Sequence, residues 1–378
     1  MDMNMYIQGL TDEAADLLKE MVAIPSPSFS EAVVCDHISG WMNERGLAHE
    51  RLGNNIVASH ITDPSKPALM LCAHIDTVSP SEGYEFDPYE PDYDKAANAI
   101  GAMTGMELSP DEIVAGLGSN DDGASVVSML AAYRYFCNAD ESPNLVLALS
   151  CEEERSGKGG MTWLWPNHFC NPESGAPKVS RAIIGEPTCM KAATAERGLL
   201  VIDAVAHGVS GHAARNEGVN ALYVALEDIE KLRNHTFSRI SPRMGKVNLN
   251  VTQINAGTAH NVIPDRCEFV IDIRPTEQYT NEEILEELQG ICRSELKPRN
   301  LSNRSSATYE GSPLQKAAEA LGIETFSSPT TSDWMRVGCD AIKMGPGDSS
   351  RSHRRNEFVL TSELEHGITT YIEFIKAI

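Results

Sequence analysis

The sequence predicts an α/β fold: a mixed, mostly parallel sheet with helices on both faces, plus an inserted α+β domain of ferredoxin-like order. Three observations carry this expectation. At 378 residues the chain exceeds one ordinary hydrophobic core, which points to two domains. Before about residue 190, and again after about 310, near-continuous apolar runs such as ALMLCA (68–73) alternate with helical stretches. That is the pattern of strands buried on both faces. Between these limits the strands alternate more clearly, as at Val201, Asp203 and Val205, which suits an antiparallel sheet with one wet face. The expected boundaries are 1–190 and 305–378 for a discontinuous first domain, and 191–304 for the insertion.

Taken in order, TDEAADLLKEMVA (11–23) predicts a helix with Thr11 as N-cap, acids in its first turn, and an apolar stripe at 14, 17, 18, 21 and 22. Pro25 and Pro27 stop it. A second helix runs from Ser30 toward Gly46. NNIVASH (54–60) and ALMLCAHI (68–75) are strands, and a long polar loop follows over roughly 79–110. DDGASVVSMLAAYRYFC (121–137) is a helix; NLVLALSC (144–151) and RAIIGEP (181–187) are strands. The insertion reads GLLVIDAVAHGV (strand), GVNALYVALEDIEKLRN (helix), NLNVTQINAG (strand), CEFVIDIR (strand) and TNEEILEELQGICRSEL (helix), with a last strand within 297–307. The order β-α-β-β-α-β is ferredoxin-like. A helix at PLQKAAEALG, a strand at DAIKMGP and a helix from Thr361 complete the first domain.

Lys plus Arg number 31 against 54 Asp plus Glu, a net charge of −23. So acidic a chain is a poor binder of nucleic acid or anionic membrane. Nine cysteines show no C-x-x-C spacing, which fits reduced thiols in a cytoplasmic protein rather than a disulfide frame or a cysteine-type zinc site. MDMNMYIQGL has neither the basic nor the apolar region of a signal peptide, and no run of 18 apolar residues suggests a membrane span.

The chemistry gathers at element ends. His74 and Asp76 close a buried strand and, two residues apart, share one face. Asp121 precedes a helix. The run Glu152, Glu153, Glu154 follows one strand and Glu186 follows another. His353 lies a short loop beyond DAIKMGP. Singly, each has an ordinary reading: a His–Asp pair, an N-cap, a solvated acidic run, a strand terminator, a surface histidine. In an open α/β sheet, however, the loops at the strand C-termini gather over one edge. Carboxylates collected there would repel one another unless a divalent cation joined them. His and carboxylate donors without Cys suit Zn²⁺, Co²⁺ or Mn²⁺.

The motifs AHIDTV (73–78), GLGSNDDG (116–123), SCEEERSGKGG (150–160), IIGEPT (183–188), GVSGHAA (208–214), NVIPD (261–265), DIR (272–274) and GPGDSSRSH (345–353) cover nearly the whole chain. In this order they resemble the two-zinc aminoacylase and carboxypeptidase superfamily, closest to its acetylornithine deacetylase and succinyl-diaminopimelate desuccinylase branch. The resemblance implies two Zn²⁺ per subunit, with Co²⁺ or Mn²⁺ as possible substitutes. His74 and Glu186 would bind one ion, Glu154 and His353 the other, and Asp121 would bridge them. Asp76 would accept a hydrogen bond from His74 and fix its tautomer. Glu153 would be the general base acting on a dizinc-activated water. The register Glu152–Glu153 is the alternative; Arg155-Ser156 after Glu154 selects Glu153–Glu154. The insertion would be a lid and dimerisation domain. From it His212 would stabilise the oxyanion in the partner subunit of a homodimer, and Asn261 and Arg274 would contact substrate.

Two departures stand out. Asp122-Gly123-Ala124 replaces a usual Lys-Gly pair after Asp121, and the loop between His74 and Asp121 is long. Ser332-Asp333 resembles a family pocket motif without a definite role. The implied activity is deacylation of a small N-acyl amino acid, acetylornithine first. N-acetylcitrulline, N-acetyllysine or N-succinyl substrates, and dipeptidase or carboxypeptidase action, are the alternatives. A binding protein that does not cleave its ligand is the rival of another class. The chain lacks the spacing of a dinucleotide fingerprint, a phosphate loop, a calcium loop or a serine-hydrolase elbow.

Overall fold

The strand Ala68–His74 is buried along its whole length because both faces of its sheet are covered. Leu69, Leu71 and Ala73 enter one core with the helices Met3–Val22, Ala32–Glu44, Gly123–Cys137 and Thr361–Ala377. Ala68, Met70 and Cys72 enter the other, with Met161, Leu164 and Trp334. This period of two is the direct result of strand geometry. The computed structural model describes residues 3–215 and 217–378. It divides into two compact units, one running to Thr194 and resuming over Thr308–Phe326 and Ser332–Ile378, the other Ala195–Ala307 with Ser327–Thr331.

In the first unit the sheet order is His49–Leu52, Asn55–His60, Leu145–Ser150, Ala68–His74, Val179–Ile184, Asp340–Lys343, Ala192–Glu196. Leu145–Ser150 through Asp340–Lys343 run parallel, and the strands outside them antiparallel. The mixed, mostly parallel sheet with helices on both faces is therefore as expected. The register pairs His74 with Ser150 and Ile184 with Lys343, so the parallel strands end together. Everything that follows those ends is delivered to one edge.

Three sequence expectations are corrected. The first helix is Met3–Val22, not 11–23. Thr11 lies inside it, donating to the Ile7 carbonyl at 3.0 Å, and the buried stripe extends back through Leu10 and Ile7. The 79–110 loop contains a helix, Tyr93–Thr104. Asp92 caps it by accepting from the Lys95 amide, and Gly105 ends it at φ 77°. Its Ala96, Ala97 and Ile100 fill a small core with Phe86, Ile113, Ala115 and Phe358. The small alanines and surrounding charges mask the stripe. The third correction falls in the second unit.

There the strands Leu200–His207, Asn248–Ala256, Arg266–Arg274 and Glu295–Pro298 form an antiparallel sheet. Their order places Arg266–Arg274 and Glu295–Pro298 on either side of Leu200–His207, with Asn248–Ala256 outermost. Leu200, Ile202, Ala204 and Ala206 face a core shared with the helices Ala221–Asn234 and Asn281–Gln289. The second helix stops at Gln289 instead of continuing through Leu296, and the last strand starts at Glu295 rather than within 297–307. The Asp228 carboxylate makes the turn between them. It accepts from the Arg293 and Ser294 amides at 2.9 and 2.8 Å and from the Ser294 hydroxyl at 2.7 Å. Among the described residues no helix is long and apolar enough to cross a membrane.

Phe136 is 1 % exposed in the larger core. Phe136→Ala should lower the unfolding free energy by about 3–5 kcal/mol. Urea denaturation of chelator-treated protein checks this, and a loss under about 1 kcal/mol would contradict the packing described.

Candidate metal centre

His74 is the last residue of its strand. Its Nδ1 lies 3.0 Å from the backbone carbonyl of Asp76, and its Nε2 lies 3.3 Å from Asp121 Oδ1. The Asp76 carboxylate stands farther off, 3.5 Å from Nδ1. Its closer partners are elsewhere: Oδ1 accepts from the Glu153 amide at 3.0 Å, and Oδ2 from the Glu154 amide at 3.1 Å and the Ser28 hydroxyl at 2.6 Å. Asp76 therefore acts mainly as the clamp on the short Glu153–Arg155 turn, while its backbone carbonyl orients the imidazole.

Within the acidic run the side chains divide. Glu152, at φ 61°, turns its carboxylate to the Gly159 amide at 2.7 Å, and its own amide donates to Glu31 at 3.1 Å. Side chains at Gly157 or Gly159 would collide with that carboxylate, which explains the glycines of SGKGG. Glu153 and Glu154 face His74 instead. Ligand atoms of His74, Asp121 and Glu154 lie within 4.8 Å of one another, as do those of His74, Glu153 and Glu186. His353 Nε2 is 2.9 Å from Glu154 Oε1 and 3.6 Å from Asp121 Oδ2. The expected ligands and Glu153 thus come together at the sheet edge.

Burial, opposed by His74 and reinforced by Glu186 and Asp333, holds the Glu153 carboxyl well above its usual range. Burial does the same to Glu186, against the pull of Lys343. Asp122 is pushed up to about 7 and Asp333 to about 6, in each case first by burial. Burial opposes a charged His74, but hydrogen bonds with Asp121 and Asp76 keep its imidazole well above the ordinary value. Cys72 and Cys151 are buried with thiols pushed up, so they supply no thiolate. Such an excess of crowded oxygens around two imidazoles fits a pair of borderline divalent cations.

Other residues at this edge were not assigned from sequence. Asp333 accepts from the Ser150 hydroxyl at 2.5 Å, and Lys343, 1 % exposed, ends the strand beside Ile184. Glu357 accepts from the Asn120 and Asp121 amides at 3.1 and 2.9 Å. The SDW motif was the one signal for Asp333; the polar pair Asn356-Glu357 before an apolar strand was the signal for Glu357. Asp122 stands at the N-cap position of Gly123–Cys137 without a capping hydrogen bond, and its Oδ2 accepts from the His74 amide at 3.3 Å.

In the second unit, His212 lies on a short strand paired with Val262, and its Nδ1 accepts from the Ala214 amide at 3.2 Å. The Asn261 carbonyl accepts from the Ala213 amide at 3.0 Å, so these two predicted residues are neighbours. Arg274 closes Arg266–Arg274 and makes a bidentate pair with Asp272 at 2.8 and 3.1 Å.

A cation binding beside His353 must displace its proton. The hydrogen bond to Glu154 raises that imidazole from 6.5 to about 9. In the metal-free protein the pair therefore supports the fold below pH 6.5 and loses this contribution as pH rises through about 9. Metal affinity should run the opposite way, climbing between these values and levelling above. Competition with a chelating dye across this range checks it; His353→Ala should flatten the slope.

Comparison with known proteins agrees with this geometry. Residues 194–300 match the profile described as peptidase dimerisation domain, and residues 55–172 match that of peptidase family M28. A probable carboxypeptidase of Emericella nidulans is 23 % identical, over 96 % of this chain and 88 % of its own length. The fold is similar to an aminopeptidase from Bacillus cereus, at a TM-score of 0.74 and 17 % identity, covering 97 % of this chain and 98 % of that one. It is also similar to a dinuclear metal-binding peptidase of the M20 family from Bacillus subtilis, at 0.69 and 15 %, covering 97 % and 98 %. With its match to the peptidase dimerisation domain, its relatives over nearly the full length and its gathered donors, the chain resembles the M20 peptidases and is a metal-dependent hydrolase of amide bonds.

Proposed function

We propose that the chain releases an amino acid from an N-acyl amino acid, with two Zn²⁺ held by His74, Asp121, Glu154, Glu186 and His353, and Glu153 as general base. The observation that carries this reading is the pairing of Glu153 with His74 and Glu186 within 4.8 Å. Bound divalent ions would polarise the scissile carbonyl and make water more acidic. Glu153 takes the proton of the attacking water as the C–O bond forms. It then delivers that proton to the nitrogen as the C–N bond breaks. Asp76 and Ser28 keep the Glu153–Glu154 turn in place during both transfers.

Acetylornithine is the favoured deacylase substrate, supported by the GLGSNDDGAS, EEERSGKGG and IIGEPT motifs. Carboxypeptidase action is the second reading, supported by relatives named probable carboxypeptidases. The two differ in the acyl side alone: acetyl in one, aminoacyl in the other. His212, Asn261 and Arg274 are proposed to contact substrate, His212 from the partner subunit of a homodimer, as the dimerisation-domain match suggests. The nine free thiols support a reducing compartment, the cytoplasm.

Purified protein supplied with Zn²⁺ or Co²⁺ should cleave one class in a panel of N-acetyl and N-succinyl amino acids and dipeptides, and a chelator should abolish it. Release of acetate or succinate identifies a deacylase; release of a second amino acid identifies a peptidase. No cleavage of any member, with two metals bound, would favour a ligand-holding protein. Glu153→Ala should keep its metal while turnover falls about 10²–10⁴-fold. Loss of metal in that variant would make Glu153 a ligand and sink its role as base.

A further inference from the structure

The turn Asn120–Asp122 presents Asp121 to both His74 and His353, yet it belongs to no helix or strand. The helix Gly123–Cys137 starts only after it. Its backbone must be held by other means, because an unsupported turn would let the Asp121 carboxylate drift from the two imidazoles. Beside the Asp122 carboxylate, which accepts from the His74 amide at 3.3 Å, two attachments hold Asn120 and Asp121. The Asn120 side chain grips the segment after the strand Asp340–Lys343: its Nδ2 donates to the Asp348 carbonyl at 3.1 Å, and its Oδ1 accepts from the Asp348 amide at 2.9 Å. The second attachment is Glu357, whose Oε1 alone accepts from two successive amides, Asn120 at 3.1 Å and Asp121 at 2.9 Å.

Glu357 is itself firmly placed. It is 2 % exposed. Its carbonyl accepts from the Gly116 amide at 2.9 Å, where the strand Phe358–Leu360 begins its pairing with Ile113–Ala115. Its neighbour Asn356, 1 % exposed, exchanges two hydrogen bonds with Glu85: the Glu85 amide donates to Asn356 Oδ1 at 2.9 Å, and Asn356 Nδ2 donates to Glu85 Oε1 at 3.0 Å. Ser81 donates to the His353 carbonyl at 2.9 Å. One five-residue segment, 353–357, thus carries His353 at one end and the oxygen that holds the Asp121 turn at the other.

We infer that Glu357 is a positioning residue of the metal centre, fixing the Asp121 carboxylate between His74 and His353 by holding two successive amides of its turn. The inference rests on the reading of Asp121 as a metal ligand. What the device requires is an oxygen in the right place. The fold contains an uncharged version: Asn144 Oδ1 accepts from the Thr62 and Asp63 amides, each at 2.9 Å. A glutamine at position 357 keeps such an oxygen. An aspartate withdraws it by one methylene, about 1.5 Å, and an alanine removes it.

The test compares Glu357→Gln, Glu357→Asp and Glu357→Ala with the unaltered protein. Chelator-treated samples are titrated with Co²⁺, followed by calorimetry and by the visible absorption of the bound ion, with kcat and KM measured on the best substrate of the panel. In Glu357→Ala, affinity for at least one Co²⁺ should fall about 10–100-fold, the range seen when partners of metal ligands are removed. The absorption spectrum should change and kcat should fall with KM little altered, while circular dichroism stays that of the unaltered protein. Glu357→Gln should recover most of the affinity and spectrum, and Glu357→Asp should resemble Ala. Native Co²⁺ affinity and spectrum in Glu357→Ala would overturn the inference. So would a Gln variant as defective as Ala, or, if Ala does not fold, an Asp variant as competent as Gln. Failure of the unaltered protein to bind Co²⁺ would instead overturn the metal-centre reading on which this one rests.

Discussion

Among the described residues eight carboxylates stand at one edge of the sheet, those of Asp76, Asp121, Asp122, Glu153, Glu154, Glu186, Asp333 and Glu357, and like charges that close cannot all ionise unaided. That constraint organises the centre. Burial raises the Asp76 carboxyl, but His74 above all, and then the Ser28 hydroxyl and the Glu153 amide, hold it below the usual carboxylate range. Asp121 meets the constraint with two imidazoles. Glu153, Glu186, Asp122 and Asp333 have less support, and burial holds their carboxyls up. The side chains left in want of positive charge include Glu153, the proposed base, and Glu186, a proposed ligand. A purely structural acidic cluster would have acquired more donors.

The sheet that creates this crowding was readable because its strands are buried on both faces. Ala68 to Ala73 needed no flanking information: an unbroken apolar run of that length is a central strand whichever face each residue takes. The edges of elements were less readable. Thr11 has the residue type of a cap but bonds backward to Ile7, and the choice between the two depends on whether Ile7 and Leu10 find a core. The 93–104 helix buries little more than alanine and one isoleucine, too weak a stripe to rise above its charged neighbours. The end of Asn281–Gln289 is set by Asp228, more than fifty residues away in sequence, which local pattern cannot report.

The same distinction separates the legible from the illegible parts of the centre. His74, Asp121, Glu154, Glu186 and His353 could be picked out as candidate donors because each is a donor type at or just beyond a strand or helix end, and metal sites draw on a short menu of such donors. The division of the Glu152–Glu154 run was readable from Arg155-Ser156, but its physical cause was not. Glu152 is claimed by Gly159 and Glu31, and this leaves its two successors free to face His74. For Glu357 the sequence offers only a polar pair, Asn356-Glu357, before an apolar strand, which marks neither its burial nor its partners. Its partners are backbone amides, which every residue has, so nothing in the residue types of Asn120 and Asp121 announces the contact.

One device recurs where an irregular turn must be held: a single side chain accepting two successive amides. Asp76 does it for Glu153 and Glu154, Asp228 for Arg293 and Ser294, and Asn144 for Thr62 and Asp63. Since an asparagine suffices at one of these, charge is not what the turn demands. Where a carboxylate is used, its charge must answer to something else nearby. At Asp228 that is Lys231, 3.1 Å away. At Asp76 it is His74, whose imidazole is held charged-capable by Asp121 and Asp76 together. A negative charge at Asp76 also makes His74 a more electron-rich donor on its far nitrogen, the one that faces Asp121. The Asp76 clamp therefore links the two halves of the centre by separate means, hydrogen bonding to the Glu153–Glu154 turn and electrostatics to the imidazole; because Oδ1 serves one amide and Oδ2 the other, an asparagine there would weaken the second link and also remove one of the two turn hydrogen bonds.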